Sequence, residues 1–234
     1  MSILNQIVEN KKIELESTKS DKNFFKSKFK EKNASIIAEI KLASPSFDYS
    51  WKIDLDELFR FYGENEFIKA VSNLIDEKYF KWDIKRGYDF KKKYKKPIFF
   101  KEFVIDKRQI DGAYYFAYDA ILLLQRVLNF DKLQEFIDYS NSKNILPVVE
   151  IDDEKWMEEI LKLKNDFAIW INCRNLKTME INRQRHFEIY EKFKAELEDK
   201  IVFAFSGIDD LKQVNEYVWK FNWVLIGTYF VGRI

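Results

Sequence analysis

The sequence predicts an α/β fold: a (β/α)8 TIM barrel with an extra N-terminal helix and a truncated last helix. Three observations predict it. Eight short apolar runs alternate with amphipathic stretches along the 234-residue chain, and such alternation implies parallel strands joined by right-handed crossovers. The units are evenly spaced, without a linker or low-complexity block, which favours a closed barrel over a doubly wound open sheet. Charged and amide side chains gather at the ends of the runs, where a barrel places its chemistry. The expected layout is a single domain over 1–234, with a helical extension at 1–34 and the barrel at 35–234.

The opening "MSILNQIVENKKIELES" reads as an amphipathic leading helix over residues 2–19. The strands follow as "SIIAEIK" (35–41), "KAVSNLI" (69–75), "PIFFKEF" (97–103), "DAILLL" (119–124), "ILPVVEI" (145–151), "FAIWIN" (167–172), "KIVFAFS" (200–206) and "WVLIG" (223–227). Between them lie helical stretches such as "LDELFRFYGEN" (55–65), "FDKLQEFIDYSNS" (130–142), "DDEKWMEEILKLK" (152–164) and "DDLKQVNEYVWKF" (209–221). Several open on Asp, a good N-cap because its carboxylate accepts from free backbone N–H groups. The closing "GTYFVGRI" leaves room for little helix after the eighth strand.

Composition excludes several classes. Forty basic residues balance thirty-nine acidic ones, for a formal charge of +1, so no global field points to nucleic acid or a membrane surface. The runs "KKKYKK" (91–96) and "KSKFKEK" (26–32) read as solvated faces. With one cysteine, Cys173, and one histidine, His186, neither an internal disulfide nor a Cys/His zinc site is expected. Cys173 reads as a passive loop residue and His186 as a packing or solvent-facing one. No apolar run reaches the length of a membrane span, and the N-terminus lacks a secretory signal's apolar core. The expected location is the cytoplasm.

Glu39 and Lys41 break the apolar pattern of the first strand. Positions i and i+2 share a face, so both point the same way, into a barrel that cannot be dry there. A buried pair bracing the barrel is the bland explanation, and a weak one, since desolvation offsets the attraction. Lys101 repeats the anomaly on the third strand, Glu150 on the fifth and Asn172 on the sixth, with Ser206 at the end of the seventh. Two ammonium groups, two carboxylates and an amide around one cavity suit general acid–base chemistry on an anionic substrate.

"IIAEIKLASPS" resembles the first-strand signature of the indole-3-glycerol phosphate synthase family. The resemblance continues through "LIDEKYF" (74–80), "FFKEFVIDKRQI" (99–110), "DAILLL", "INCRNLKT" (171–178), "SGI" (206–208) and "VLIGT" (224–228). It implies a carbon–carbon lyase of tryptophan biosynthesis that needs no metal and no cofactor. The implied substrate is 1-(2-carboxyphenylamino)-1-deoxyribulose 5-phosphate, which closes to indole-3-glycerol phosphate with loss of carbon dioxide and water. By resemblance Lys101 would be the general acid, Glu150 the general base, and Lys41 the holder of the substrate carboxylate, while Glu39 and Asn172 orient hydroxyl and amine groups. The phosphate would rest against Ser44, Ser206, Gly207, Gly227 and Thr228, with Arg174 near the site, and Phe80 and Leu122 would wall the anthranilate ring. The implied partner is this small phosphorylated molecule, together with other tryptophan-pathway enzymes.

The sequence departs from that pattern in places. Phe205 precedes "SG" where the family has Glu, and Glu102 replaces an Asp. This favours, as an alternative, a degenerate barrel that binds a sugar phosphate or braces a partner enzyme. A phosphosugar isomerase is a third reading, without an acid/base pair in suitable positions. Only six glycines stand beside six tryptophans, and Trp82, Trp170 and Trp223, with Trp51 a similar case, lie at or beside positions where the family has small residues, often Gly. Either these are genuine substitutions with compensating repacking, or UGA codons are read as Trp where the organism inserts Gly. Trp156 and Trp219 read as ordinary helix-packing residues.

Overall fold

Hydrogen bonding closes eight parallel strands on themselves: β1 (Ser35–Ile40), β2 (Ile68–Leu74), β3 (Ile98–Lys101), β4 (Ala120–Leu124), β5 (Leu146–Ile151), β6 (Ala168–Asn172), β7 (Val202–Phe205) and β8 (Trp223–Ile226). Each pairs with its neighbours in sequence, and β8 pairs with β1. This computed structural model describes residues 19–27, 31–44, 47–48, 53–75, 80, 83–174 and 180–231. The leading helix expected over 2–19 therefore lies almost wholly outside the described residues, as do Trp51 and Trp82.

The crossovers carry α2 (Leu55–Glu64), α3 (Ile84–Tyr94), α4 (Lys107–Tyr115), α5 (Phe130–Ser142), α6 (Glu154–Ile160), α7 (Gln184–Lys192) and α8 (Lys194–Leu197), after a short α1 (Lys22–Ser27). As the Asp openings suggest, Asp54, Asp83, Asp106 and Asp153 cap α2, α3, α4 and α6 through their carboxylates. One helix differs from expectation. Residues 209–221 form only a 3₁₀ turn over Leu211–Tyr217, capped by Asp210. Trp219 then takes φ +74° and donates its N–H to Lys32 O, turning the chain toward β8. The last helix, α9 (Thr228–Val231), has four residues.

Alternation along the strands builds two cores. Outward residues pack under the helices, and inward ones, among them Ile37, Phe99, Leu122, Val148, Trp170, Phe203, Trp223 and Leu225, fill the barrel. Phe25 of α1 closes the N-terminal end, its ring 4.9 Å from Trp223. Trp170, Phe203 and Trp223 stack as an aromatic column, with centroids 5.7 and 6.1 Å apart. The Trp170 Nε1 is buried with no hydrogen-bond partner among the described residues.

Two expectations are corrected here. Lys91, in the run read as a solvated face, is buried; its Nζ donates to Asp119 Oδ1 at 2.6 Å and to the Ala117 and Lys19 carbonyls. Asp119 also accepts from Asp21 N and Ile98 N, so this pair ties the chain before α1 to the barrel floor. Trp219 is no packing residue, being 81% exposed. A bulky side chain with left-handed backbone costs about 1–2 kcal/mol, which glycine avoids.

Position 219 therefore has the backbone of a glycine, whereas Trp170 and Trp223 fill barrel volume. Trp219→Gly is expected to raise unfolding free energy by about 1 kcal/mol in denaturant titration. The intact mass of the natively produced chain tests the codon reading, which ends if all six positions weigh as tryptophan.

Candidate active site

At the C-terminal mouth the inward residues change from apolar to charged. Strand pairing sets Leu74 beside Lys101, Leu124 beside Glu150 and Asn172 beside Phe205. Lys101 Nζ donates to Glu39 Oε1 at 2.5 Å, a buried ion pair that spans the mouth from β3 to β1. The Lys101 ammonium also lies over the Phe205 ring, 3.8 Å from its centroid. Asn172 Nδ2 donates to Glu150 Oε1 at 3.1 Å, while Asn172 Oδ1 accepts from Arg174 N at 2.9 Å. Lys41, half-buried just past β1, feels the charges of Glu39, Lys101 and Arg174.

Two neighbours hold Glu39. Tyr62 donates its hydroxyl to the Glu39 carbonyl at 3.1 Å. A Cβ at Gly227 would lie 2.9 Å from Glu39 Oε2, so the carboxylate uses space that only glycine leaves.

Burial separates the proton affinities. It pushes the Glu150 carboxyl above the ordinary range, against the pull of the Asn172 hydrogen bond and the Lys101 charge. Burial lowers Lys41, with Lys101 and Arg174 adding to the effect and Glu39 opposing it. A carboxylate with raised proton affinity beside ammonium groups is the arrangement general acid–base chemistry uses.

The structure brings Glu39, Lys41, Lys101, Glu150 and Asn172 to this one mouth, with Arg174 alongside. Ser206 and Gly207 follow β7 with φ +71° and +68°, and the Ser206 hydroxyl is buried with no hydrogen-bond partner among the described residues. Gly227 ends β8 beside Glu39. The side chains of Ser44 and Thr228 lie outside the described residues, and Phe80 is half-buried. Leu122 pairs with Val148, below Glu150, and is buried in the barrel interior, whereas Leu124 pairs with Glu150.

Cys173 is buried, its thiol pushed up to about 11 by burial, and it donates to Ser206 O at 3.2 Å. His186 packs behind β7, its Nε2 2.7 Å from Phe205 O and its Nδ1 3.0 Å from the Tyr217 hydroxyl. The carbonyl can only accept, so Nε2 carries the proton and Nδ1 accepts from Tyr217. Burial lowers His186 to about 4, keeping it neutral.

Sequence reading missed one pair near Glu150. Arg126 Nη2 lies 2.6 Å from both Asp152 oxygens, and Arg185 donates to the Asp152 carbonyl. The available signal was position: both residues fall just beyond strand ends, like the residues singled out.

The profile described as "Indole-3-glycerol phosphate synthase" matches residues 3–233. The chain belongs to the indole-3-glycerol phosphate synthase family. Among relatives so named, one from Pyrobaculum aerophilum is 34% identical over 193 residues, covering 82% of this chain and 75% of that protein. One from Bacillus mycoides is 34% identical over 203 residues, covering 83% and 79%. Among solved structures, a tryptophan synthase α-subunit from Pyrococcus furiosus superposes with TM-score 0.61 at 13% identity, covering 86% of this chain and 90% of that one. An HpcH/HpaI aldolase from Desulfitobacterium hafniense gives TM-score 0.61 at 12% identity, covering 86% and 89%. These two share the barrel fold alone.

For this member of the indole-3-glycerol phosphate synthase family, Gly227→Ala is expected to displace the Glu39 carboxylate from Lys101. Steady-state kinetics should show kcat/KM down by about a hundredfold, the scale of a 1 Å misplacement, with the far-ultraviolet circular dichroism unchanged.

Proposed function

We propose that this chain is an indole-3-glycerol phosphate synthase, a decarboxylating carbon–carbon lyase of tryptophan biosynthesis acting on 1-(2-carboxyphenylamino)-1-deoxyribulose 5-phosphate. The observation that carries the reading is the buried Lys101–Glu39 pair facing Glu150 and Lys41 in one barrel mouth.

In this reading the ring carbon that bears the carboxylate attacks the substrate ketone, forming the carbon–carbon bond. Lys101 delivers its proton to the ketone oxygen as the carbonyl π bond breaks. Carbon dioxide leaves with its bonding pair returned to the ring, which becomes aromatic again. Glu150 then takes the proton from the adjacent sugar carbon, the new double bond completes the indole, and that proton leaves with the departing hydroxyl as water. Lys41 holds the substrate carboxylate, and Glu39 and Asn172 orient the hydroxyl and amine.

The phosphate is assigned to Ser44, Ser206, Gly207, Gly227 and Thr228, with Arg174 near it. The partnerless Ser206 hydroxyl supports this, because a buried oxygen without a bond is costly unless a ligand meets it. Phe80 and Leu122 are assigned to the ring wall, the latter from below. The reading further includes a cytoplasmic site of action and association with other tryptophan-pathway enzymes. Among the described residues no helix is long and apolar enough to cross a membrane.

Adding substrate and following indole fluorescence tests the reading. Lys101→Ala and Glu150→Gln are each expected to lower kcat by about a hundred- to ten-thousand-fold. Because burial raises Glu150, activity should fall on the acid side at a pH above the ordinary glutamate value of about 4.3. Phe205 favours the alternative, a non-catalytic sugar-phosphate barrel; substrate binding without turnover by well-folded protein would select it.

A further inference from the structure

The Phe205 side chain stands at the mouth where the resemblance leads one to look for a carboxylate, yet it touches the proposed acid directly. Its ring face meets Lys101 Nζ at 3.8 Å from the centroid. Behind it, the edge-on indole of Trp170 lies 5.3 Å away at 78°, and His186 holds its carbonyl at 2.7 Å. The ring is thus fixed from the barrel interior and from the helix layer. Lys101 is itself buried, so the contact is largely desolvated, the condition under which cation–π attraction is strongest.

We propose that Phe205 is a positioning residue that confines the Lys101 ammonium between its ring face and the Glu39 carboxylate, with one anionic partner in contact rather than two. The inference rests on the reading of Lys101 as the general acid and deepens it.

The chemical consequence follows from counting charges. The groups that face Lys101 are Glu39 and Lys41 from β1 and its end, Glu150 from β5 and Phe205 from β7; Arg174, beyond β6, faces Lys41. A carboxylate in place of the ring would give the ammonium a second anionic partner and hold its proton more tightly. A plain aliphatic side chain would hold it less tightly than the ring does. The ring lies between the two, and it aims the ammonium toward Glu39. Trp170 beneath meets the ring at 78° and offers an apolar surface in place of a polar partner, so a carboxylate at 205 would also lack support from below.

The test follows the Lys101 ammonium itself in full-length protein with isotope-labelled lysine, by nuclear magnetic resonance titration. The Lys101 signal is identified by its disappearance in Lys101→Arg. Phe205→Leu should move the Lys101 transition to lower pH by about half a unit to one and a half units, the cation–π range converted to pKa. Phe205→Glu should move it the other way, and Phe205→Tyr should leave it near that of the unaltered chain. The alkaline limb of kcat/KM should follow the same order.

A transition unmoved in folded Phe205→Leu overturns the proposal, as does one unmoved or lowered in Phe205→Glu. Should Phe205→Leu fail to fold, the Glu and Tyr variants still decide. Retained turnover in Lys101→Ala would instead overturn the role of Lys101 as acid, leaving the titration to judge the ring contact alone.

Discussion

A buried ion pair between two strands of a closed barrel is the constraint on which the rest of this protein depends. Lys101 and Glu39 lie 2.5 Å apart where water is scarce. Bringing both charges out of water costs several kcal/mol each, which their attraction only roughly offsets. Such a pair is poor material for stability alone. The surroundings accommodate it in detail: glycine at 227 gives the carboxylate room, Tyr62 fixes the backbone behind it, and the Phe205 ring faces the ammonium.

The two ends of the barrel handle burial differently. At the floor, Lys91 and Asp119 are also buried and paired, but every oxygen and nitrogen of that pair reaches a backbone group as well. This is a satisfied network that fastens the chain before α1. At the mouth Lys101 is paired with Glu39 and Asn172 with Glu150, while the Ser206 hydroxyl, like those of Ser20 and Ser140 elsewhere, has no partner among the described residues. A buried hydroxyl short of a hydrogen bond at the mouth is a group that a ligand can satisfy.

Between the ends runs the aromatic column of Trp223, Phe203 and Trp170. It fills the barrel volume below the mouth, where burial raises Glu150 and lowers Lys41. Packing and chemistry are therefore coupled. Trp223 stands at the floor against Phe25, Trp170 pairs with Glu150, and Phe205 joins the top of the column to Lys101.

Sequence alone determined the strand order, the inward face of each strand and the end at which the chemistry gathers, because a period of two along a strand and the right hand of crossovers are local rules. Glu39, Lys101, Glu150 and Asn172 were legible as charges or amides in runs that should be apolar. Lys91 was not, since a lysine in a basic run looks the same whether it meets solvent or an aspartate from another strand. Trp219 read as part of a helix because periodicity carries no sign of φ. Leu122 and Leu124 share a face, and only the register between strands decides which is level with Glu150. The Phe205–Lys101 contact, the room at Gly227 and the Arg126–Asp152 pair join residues far apart in the chain. Closure of the barrel sets those distances, and tertiary structure alone could decide them.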